Sequence, residues 1–457
     1  MPLQPSEVAV LDKLYKTLLS SSNSDELLLR YYLGRQRFEH IGLALPPQYR
    51  NGYDVFTSGP AVVVDSVVER QEVRSLVLPG EDTADPRLRA IWDGSNMDVQ
   101  LQMFNRDRRI YGRAFLSVGT NEKDESRPLL RVESPREMVA MIDQRHEVAL
   151  AAARFYGTDD TTGRTPTHAT LYLPDVTVWL SWSSASNRWL EVDRDPHNMG
   201  EVPIFMHLSG RLSGSWEGRS ALTRPVLSAV DAACRNLTNM QFAVESHGIP
   251  RIFMTGVARG DFVDAAGKPI PQWEAYYNAI HTITNAQGKV GQLEASDLKN
   301  FETAQLMYAR EMMQATGFPA SYFGVTTSNP PAEGAIVGEE KRLVRRTQLE
   351  NIEVGMTLGW AGAMAYRFAT GQSIEGNRVR VNWHNPATPT ESQRMDATVK
   401  AYQSKLISRE GAWDRLGMSE AEKAKERAYF AAELNDPTIQ LANSLLNGST
   451  DAALGNA

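Results

Sequence analysis

"GRSALTRPVLSAVDAACRNLTNMQFAVESHGIP", residues 218–250, decides the fold. Leu222, Val226, Val230, Ala233, Leu237, Met240 and Val244 step by fours and threes. That spacing lines them along one face of a helix, expected over 219–247 and about 40 Å long at the usual rise. Gly248 and Pro250 end it. A helix with one apolar seam needs a partner, yet the next fifty or so residues do not read as helix. "PRIFMTGVARGDFVDAAGKPIPQWEAYYNAIHTITNAQGKVGQLEAS" reads as strand, loop, short helix and strand, a small α/β module over 248–297. "LKNFETAQLMYAREMMQAT" then gives a second helix over 298–316. Two helices thus leave a body, carry a module at their tips and return.

"GFPASYFGVTTSNPPAEGA" follows, a loop over 317–332 with no charge between Met312 and Ala332. Pro319 and Pro330-Pro331 mark where its flanking helices stop, and Gly324 and Gly334 give it freedom. A long helix is expected over 332–369, started by Glu333, with a return strand in "NRVRVNWHNP". Gly338, Gly355, Gly359 and Gly362 each cost up to about 1 kcal/mol in an exposed helix. They mark a kink or close packing.

Outward from this core, residues 6–19 and 25–37 read as two short helices. "AVVVDSVVERQEV" from Ala61 reads as strand or buried helix. "DPRLRAIWDGSNMDVQLQMFNRDRRIYGRAFLSVG" reads as helix, turn, helix and then strand, and short strands run from about 129 to 207. Trp92, Trp179, Trp182 and Trp189 are expected in the core of that region. Residues 390–447 read as helices, with capping-box pairs Thr390/Gln393 and Ser419/Glu422, and 448–457 as a disordered tail. The fold class is α+β.

At 457 residues, 42% hydrophobic and 23% charged, the chain has the composition of a globular protein. No apolar run reaches the length of a membrane span, and no signal peptide is read at the start. One cysteine, Cys234, permits no intrachain disulfide and no cysteine-based zinc site. Neither Gly267-Lys268 nor Gly288-Lys289 continues as a P-loop. No H-E-x-x-H and no G-x-S-x-G occurs. No catalytic residue, metal ligand or cofactor is therefore expected. A net charge of −7 argues against a protein that wraps nucleic acid by neutralising phosphates.

The order and spacing of several stretches resemble the portal proteins of tailed bacteriophages of the siphophage type. They are "ELLLRYYLGRQRFEHIGLALP", "WDGSNMDVQLQMFNRDRRIYGRAFLSVG", "ATLYLPD", "HNMGEVPI", residues 217–256, "TGFPASYFGVTTSNPPAEGAIVGEEKRL", "VNWHNPATPTESQRMDATVKAYQSKLISREGAW" and "DPTIQLANSLL". The resemblance implies a wing (1–218), a stem helix (219–247), a clip (248–297), a second stem helix (298–316) and a tunnel loop (317–332). It then implies a tunnel helix with a return strand (333–389) and a helical crown (390–447). It implies a homo-oligomeric ring of twelve at one capsid vertex, synthesised in the host cytoplasm, through which double-stranded DNA passes. Its partners would be the terminase large subunit, capsid and scaffolding proteins, and then a head-completion or adaptor protein, with no membrane. The acidic balance suits a channel that should not hold DNA. Rival readings are another head-shell or morphogenetic protein, or a phage nuclease or protease.

On this reading Val325, Thr326, Thr327, Ser328 and Asn329 line the channel. The seam from Leu222 to Val244 packs on neighbouring subunits. Arg251, Lys268 and Lys289 in the clip meet terminase or adaptor, or are solvated charges. Lys341, Arg342, Arg345 and Arg346 pair with Glu339, Glu340, Glu350 and Glu353 within the long helix or across subunits.

Overall fold

The structure is a computed structural model that describes residues 3–36, 55–81, 83–121, 123–124, 127–159, 163, 165–247, 252–256, 262–263, 282–283, 289–292, 298–325, 333–387, 391–418 and 420–434. The chain divides into two compact units, Met1–Pro386 and Ala387–Ala457.

The first unit opens with one helix, α1 (Pro5–Tyr32), where the sequence suggested two. The Ser/Asn run between the expected halves costs only tenths of a kcal/mol per residue and contains no glycine or proline. A capping box starts the helix: Glu7 accepts from the Gln4 amide at 3.0 Å. Leu11, Leu14 and Leu18 are buried against Ala153, Phe155, Leu171 and Val178. Each such side chain removed from water contributes about 1.5–3 kcal/mol. Those partners belong to an antiparallel sheet of β4 (Met138–Asp143), β5 (Val148–Tyr156), β6 (His168–Tyr172), β7 (Thr177–Ser183) and β8 (Arg188–Asp195), in that order.

The run from Ala61 resolves as helix. α2 (Gly59–Val68) buries Val63, Val64, Val67 and Val68, and only then comes the strand β1 (Val73–Val77). α3 (Pro86–Gly94) and α4 (Met97–Tyr111) meet at the expected turn, where Asn96 adopts a left-handed conformation. They cover a second sheet with the order β3 (Leu129–Glu133), β2 (Arg113–Gly119) and β9 (Ile204–Leu208). Of the four expected core tryptophans only Trp92 is fully buried. Trp179, Trp182 and Trp189 are half-buried on the outer strands, where Trp182 and Trp189 pack edge to face.

α5 (Arg224–His247) begins later than expected from residue 219, because Pro225 lacks the amide hydrogen that a preceding turn would need. It lies antiparallel to α6 (Lys299–Thr316): Asn236 donates to the Phe301 carbonyl at 2.8 Å, while Val230 clusters with Met312. Between them, β10 (Ile252–Thr255) pairs antiparallel with β13 (Lys289–Gln292), and β11 (Phe262–Val263) with β12 (Thr282–Ile283). The short helix expected in this module lies outside the described residues.

α7 (Glu333–Thr370) is one helix of 38 residues. Its far half joins the main core, where Leu358, Ala361, Met364 and Tyr366 meet Trp92, Phe104 and Leu116. The return strand β14 (Arg380–Trp383) pairs with β1. Close packing, rather than a kink, explains Gly359: a Cβ there would sit 2.7 Å from the Gly376 carbonyl oxygen.

The second unit holds α8 (Glu391–Gln403), α9 (Arg409–Leu416) and α10 (Glu420–Leu434). Ser408 caps α9, Trp413 stacks on Phe430, and Arg427 forms a two-pronged pair with Glu410 at 2.7 Å. Thr390, Ser419 and the expected tail lie outside the described residues.

Candidate functional site

The root of the 317–332 loop is the best-defined part of the region that the sequence singled out. α6 ends as Gly317 turns left-handed (φ 71°) and its amide donates to the Met313 carbonyl at 2.7 Å. Phe318 then inserts beside Val67 and Leu343. A short 3₁₀ turn, Ala320–Phe323, stands after Pro319, and Gly324 turns left-handed again. Val325 is half-buried at the end of the described loop. Thr326, Thr327, Ser328 and Asn329 lie outside the described residues.

Arg70 bolts this root together. Its Nη2 donates to the Tyr322 hydroxyl and to Glu340 Oε1, both at 2.8 Å, and its Nη1 donates to the Pro386 carbonyl at 2.9 Å. One guanidinium thereby links the 3₁₀ turn, α7 and the segment after β14. Only a planar, multi-donor group can serve three acceptors in such different directions.

A second network anchors α7 about three turns further on. Glu350 accepts from Arg108 at 2.8 Å and from Arg109 at 2.6 Å. Arg108 also donates to Asn105 and Gln71, and Gln71 donates to Asn351 at 2.7 Å. Arg109 further donates to the Val63 and Val64 carbonyls. Burial alone would raise the Glu350 carboxyl, but Arg109 and Arg108 outweigh it and hold it down at about 2. Beside them His207 is fully buried, with Nδ1 3.0 Å from the Thr357 hydroxyl. Burial, and then Arg108, push its imidazole down to about 3, so it is neutral.

Within one chain, these networks differ from the pairing expected inside α7. Glu340 and Glu350 are held by Arg70, Arg108 and Arg109 of the body, not by arginines of their own helix. Among the described residues, Glu353 accepts only from the Gly210 amide, at 3.5 Å. Glu339, Lys341, Arg342, Arg345 and Arg346 form no ion pair among the described residues. Arg342 lies against Gly317, and Arg346 lies over the Phe318 ring at 5.7 Å. The helix spacing that allows i,i+4 pairs is present, but partly buried carboxylates gain more from arginines already desolvated nearby.

The seam is corrected in the same way. Leu222, Val226, Val230 and Ala233 were expected on a neighbouring subunit, yet α2, α4 and α6 of the same chain enclose them. Toward the other end of α5, Leu237 and Met240 are half-buried and Val244 is exposed. In the module, Lys289 is exposed on β13, while Arg251 and Lys268 lie outside the described residues.

Arg70, Arg108, Arg109 and Tyr322 carry the anchoring and were missed in the sequence. The signal available was "NRDRRIYG" at 105–112: an amphipathic helix whose buried face must take arginines requires a carboxylate from elsewhere. Among the described residues, no group of three or more His, Cys, Asp and Glu is placed to hold a metal ion, and no helix is long and apolar enough to cross a membrane.

The chain has relatives among known proteins over most of its length. It is 31% identical over 421 residues to the portal protein of Mycobacterium phage D29, covering 88% of this chain and 84% of that one. It is also 31% identical over 422 residues to the portal protein of Mycobacterium phage L5, with the same coverage. Among solved structures, the virion of a native gene transfer agent particle aligns with a TM-score of 0.46 at 13% identity, covering 81% of this chain and 92% of that one. The neck of an empty particle of that agent aligns at 0.47 and 12%, covering 86% and 93%. Likenesses of that size settle nothing about assembly. The family model described as "Phage portal protein, SPP1 Gp6-like" matches residues 30–436. On that match, together with the two mycobacteriophage relatives, the chain belongs to the SPP1 Gp6-like family of phage portal proteins.

Proposed function

We propose that twelve copies of this chain close into a ring at one capsid vertex and that double-stranded DNA passes through the ring, inward during packaging and outward during ejection. The family match over residues 30–436 carries this reading. In it, α1 to β9 form the wing, α5 and α6 the stem, the strands β10–β13 the clip, and α7 with its preceding loop the tunnel elements. Residues 390–447 form the crown. Val325 to Asn329 line the narrowest part of the channel and meet DNA with small neutral groups. Such groups do not hold phosphates as a ring of lysines would.

Leu237, Met240 and Val244 on α5, with the exposed Leu349, Ile352 and Met356 on α7, supply apolar surface for a neighbouring copy. Lys289 and the other clip cations face the terminase large subunit first and a head-completion protein later. The chain has a structural role and the packaging motor is a separate protein. The ring is assembled in the host cytoplasm, with capsid and scaffolding proteins, before it becomes part of the virion.

The anchored root separates the loop from the body. Arg70 and Phe318 hold Gly317 to Phe323, so changes beyond Gly324 leave the body untouched. Deleting 325–329 should leave rings intact in electron micrographs and impair DNA packaging or retention. Normal packaging and retention would overturn the role given to this loop.

A further inference from the structure

A cavity of about 240 Å³ lies where α4, the segments 209–210 and 219–223, the end of α6 and α7 converge. Four guanidinium groups line it, those of Arg108, Arg109, Arg219 and Arg346, against two carboxylates, Glu350 and Glu353. The charges are unevenly matched. Glu350 is fully engaged by Arg108 and Arg109, whose remaining donors go to backbone carbonyls, Asn105 and Gln71. Arg346 has no ion pair and no hydrogen bond among the described residues, and touches only the Phe318 ring. Ser209, 7% exposed, directs no hydrogen bond from its hydroxyl to any of the described residues. A buried hydroxyl without a partner is uncommon, and beside a half-buried unpaired guanidinium it marks a place for an acceptor.

The chemistry of that acceptor follows from the lining. An excess of arginines repels a cation. A guanidinium fork and a hydroxyl match the geometry of a carboxylate or phosphate. We propose that this cavity binds a small oxyanion, held by Arg346 and the Ser209 hydroxyl, with the exposed Arg219 at its rim. Burial and then Arg109 depress the Arg346 guanidinium, which an anion would relieve. The oxyanion has two possible sources, a free phosphate ion or an acidic side chain of a second copy. The second source rests on the ring reading, whereas the cavity itself does not.

The test is calorimetric titration of inorganic phosphate into the full chain at constant ionic strength, on dilute unassembled protein and on assembled protein. Saturable binding at one site per chain is expected, weakened tenfold or more by Arg346→Gln and unchanged by Arg345→Gln. Ser209→Ala should weaken binding without lowering the melting temperature, since the hydroxyl has no partner to lose. It keeps the test valid if Arg346→Gln fails to fold, as does Arg219→Gln at the exposed rim. Binding to both forms identifies a free anion. Binding to the unassembled form alone identifies the carboxylate of a second copy. Absence of saturable binding to either form, or binding untouched by Arg346→Gln and Ser209→Ala, would overturn the proposal. Neither of those results bears on ring formation.

Discussion

Glu350 on the long helix accepts a hydrogen bond at 2.6 Å from Arg109, which lies 241 positions earlier in the chain. With Arg108 at 2.8 Å on its other oxygen, this carboxylate pairs with two nearly inaccessible guanidinium groups at once. Removing one partner of a buried pair leaves an uncompensated charge, which costs about 3–5 kcal/mol. Glu350→Gln should therefore lower stability by about that amount in urea unfolding. Glu353→Gln, an exposed neighbour on the same helix, should change it by less than about 0.5 kcal/mol.

Acid should unfold the protein in two overlapping windows. His207 titrates at about 3 in the folded chain, below its ordinary 6.5, so its contribution is complete above pH 6.5 and falls as pH drops toward 3. Glu350, held at about 2 against an ordinary 4.5, contributes above pH 4.5 and loses that contribution as pH falls toward 2. Asp107 runs the other way: burial raises it to about 7, so it favours the folded state increasingly as pH falls from 7 toward 3.8. Melting temperatures measured against pH should show His207→Leu flattening the decline between 6.5 and 3. Asp107→Asn should steepen it above 4.

Two glycines allow a close backbone crossing between the end of α4 and the segment before α5. A Cβ on Gly218 would stand 1.7 Å from the Gly112 carbonyl oxygen, and Gly112 itself has φ 79°. Neither backbone can yield, since the Gly112 carbonyl accepts from the Ser209 amide at 2.8 Å. Gly218→Ala should cost several kcal/mol or prevent folding, as overpacking against fixed backbone does. Gly338, in open space on α7, gives the contrast: Gly338→Ala should stabilise by up to about 1 kcal/mol. Thermal melts of the two variants should move in opposite directions.

Arg70 joins the loop root to α7 through Tyr322 and Glu340. Arg70→Lys, a compact cation without the guanidinium fork, should keep one partner and lose the others. Hydrogen exchange of the amides at 322, 324 and 325 should accelerate at least tenfold, while those of β4–β8 stay unchanged. Equal protection in the variant would remove Arg70 as the anchor.

Periodicity located most of the elements because their apolar positions repeat. The seam of α5, the helical run of α7 and the strands between 129 and 207 all recur at a fixed spacing. What periodicity does not contain is the partner. Val226 and Val230 look alike whether α2 and α6 or a neighbouring subunit covers them, and the structure assigns them to their own chain. Glu350 has a suitable cation four residues away in Arg346, yet it pairs with Arg108 and Arg109, and Glu340 pairs with Arg70, all from far along the chain. The single α1 was misread because a run of serines weakens helix propensity, whereas burial of Leu11, Leu14 and Leu18 against the five-stranded sheet stabilises the helix more. The close approach of Gly112 and Gly218 had no signal beyond two glycines 106 positions apart in the sequence.

The central claim is that the chain functions as a closed ring with a passage for DNA. Electron microscopy of the purified full-length protein tests it most directly. Closed rings of twelve subunits are expected, around a central hole wide enough for a DNA duplex. Particles that stay monomeric under all assembly conditions, or that cleave DNA in the presence of a divalent metal, would contradict it.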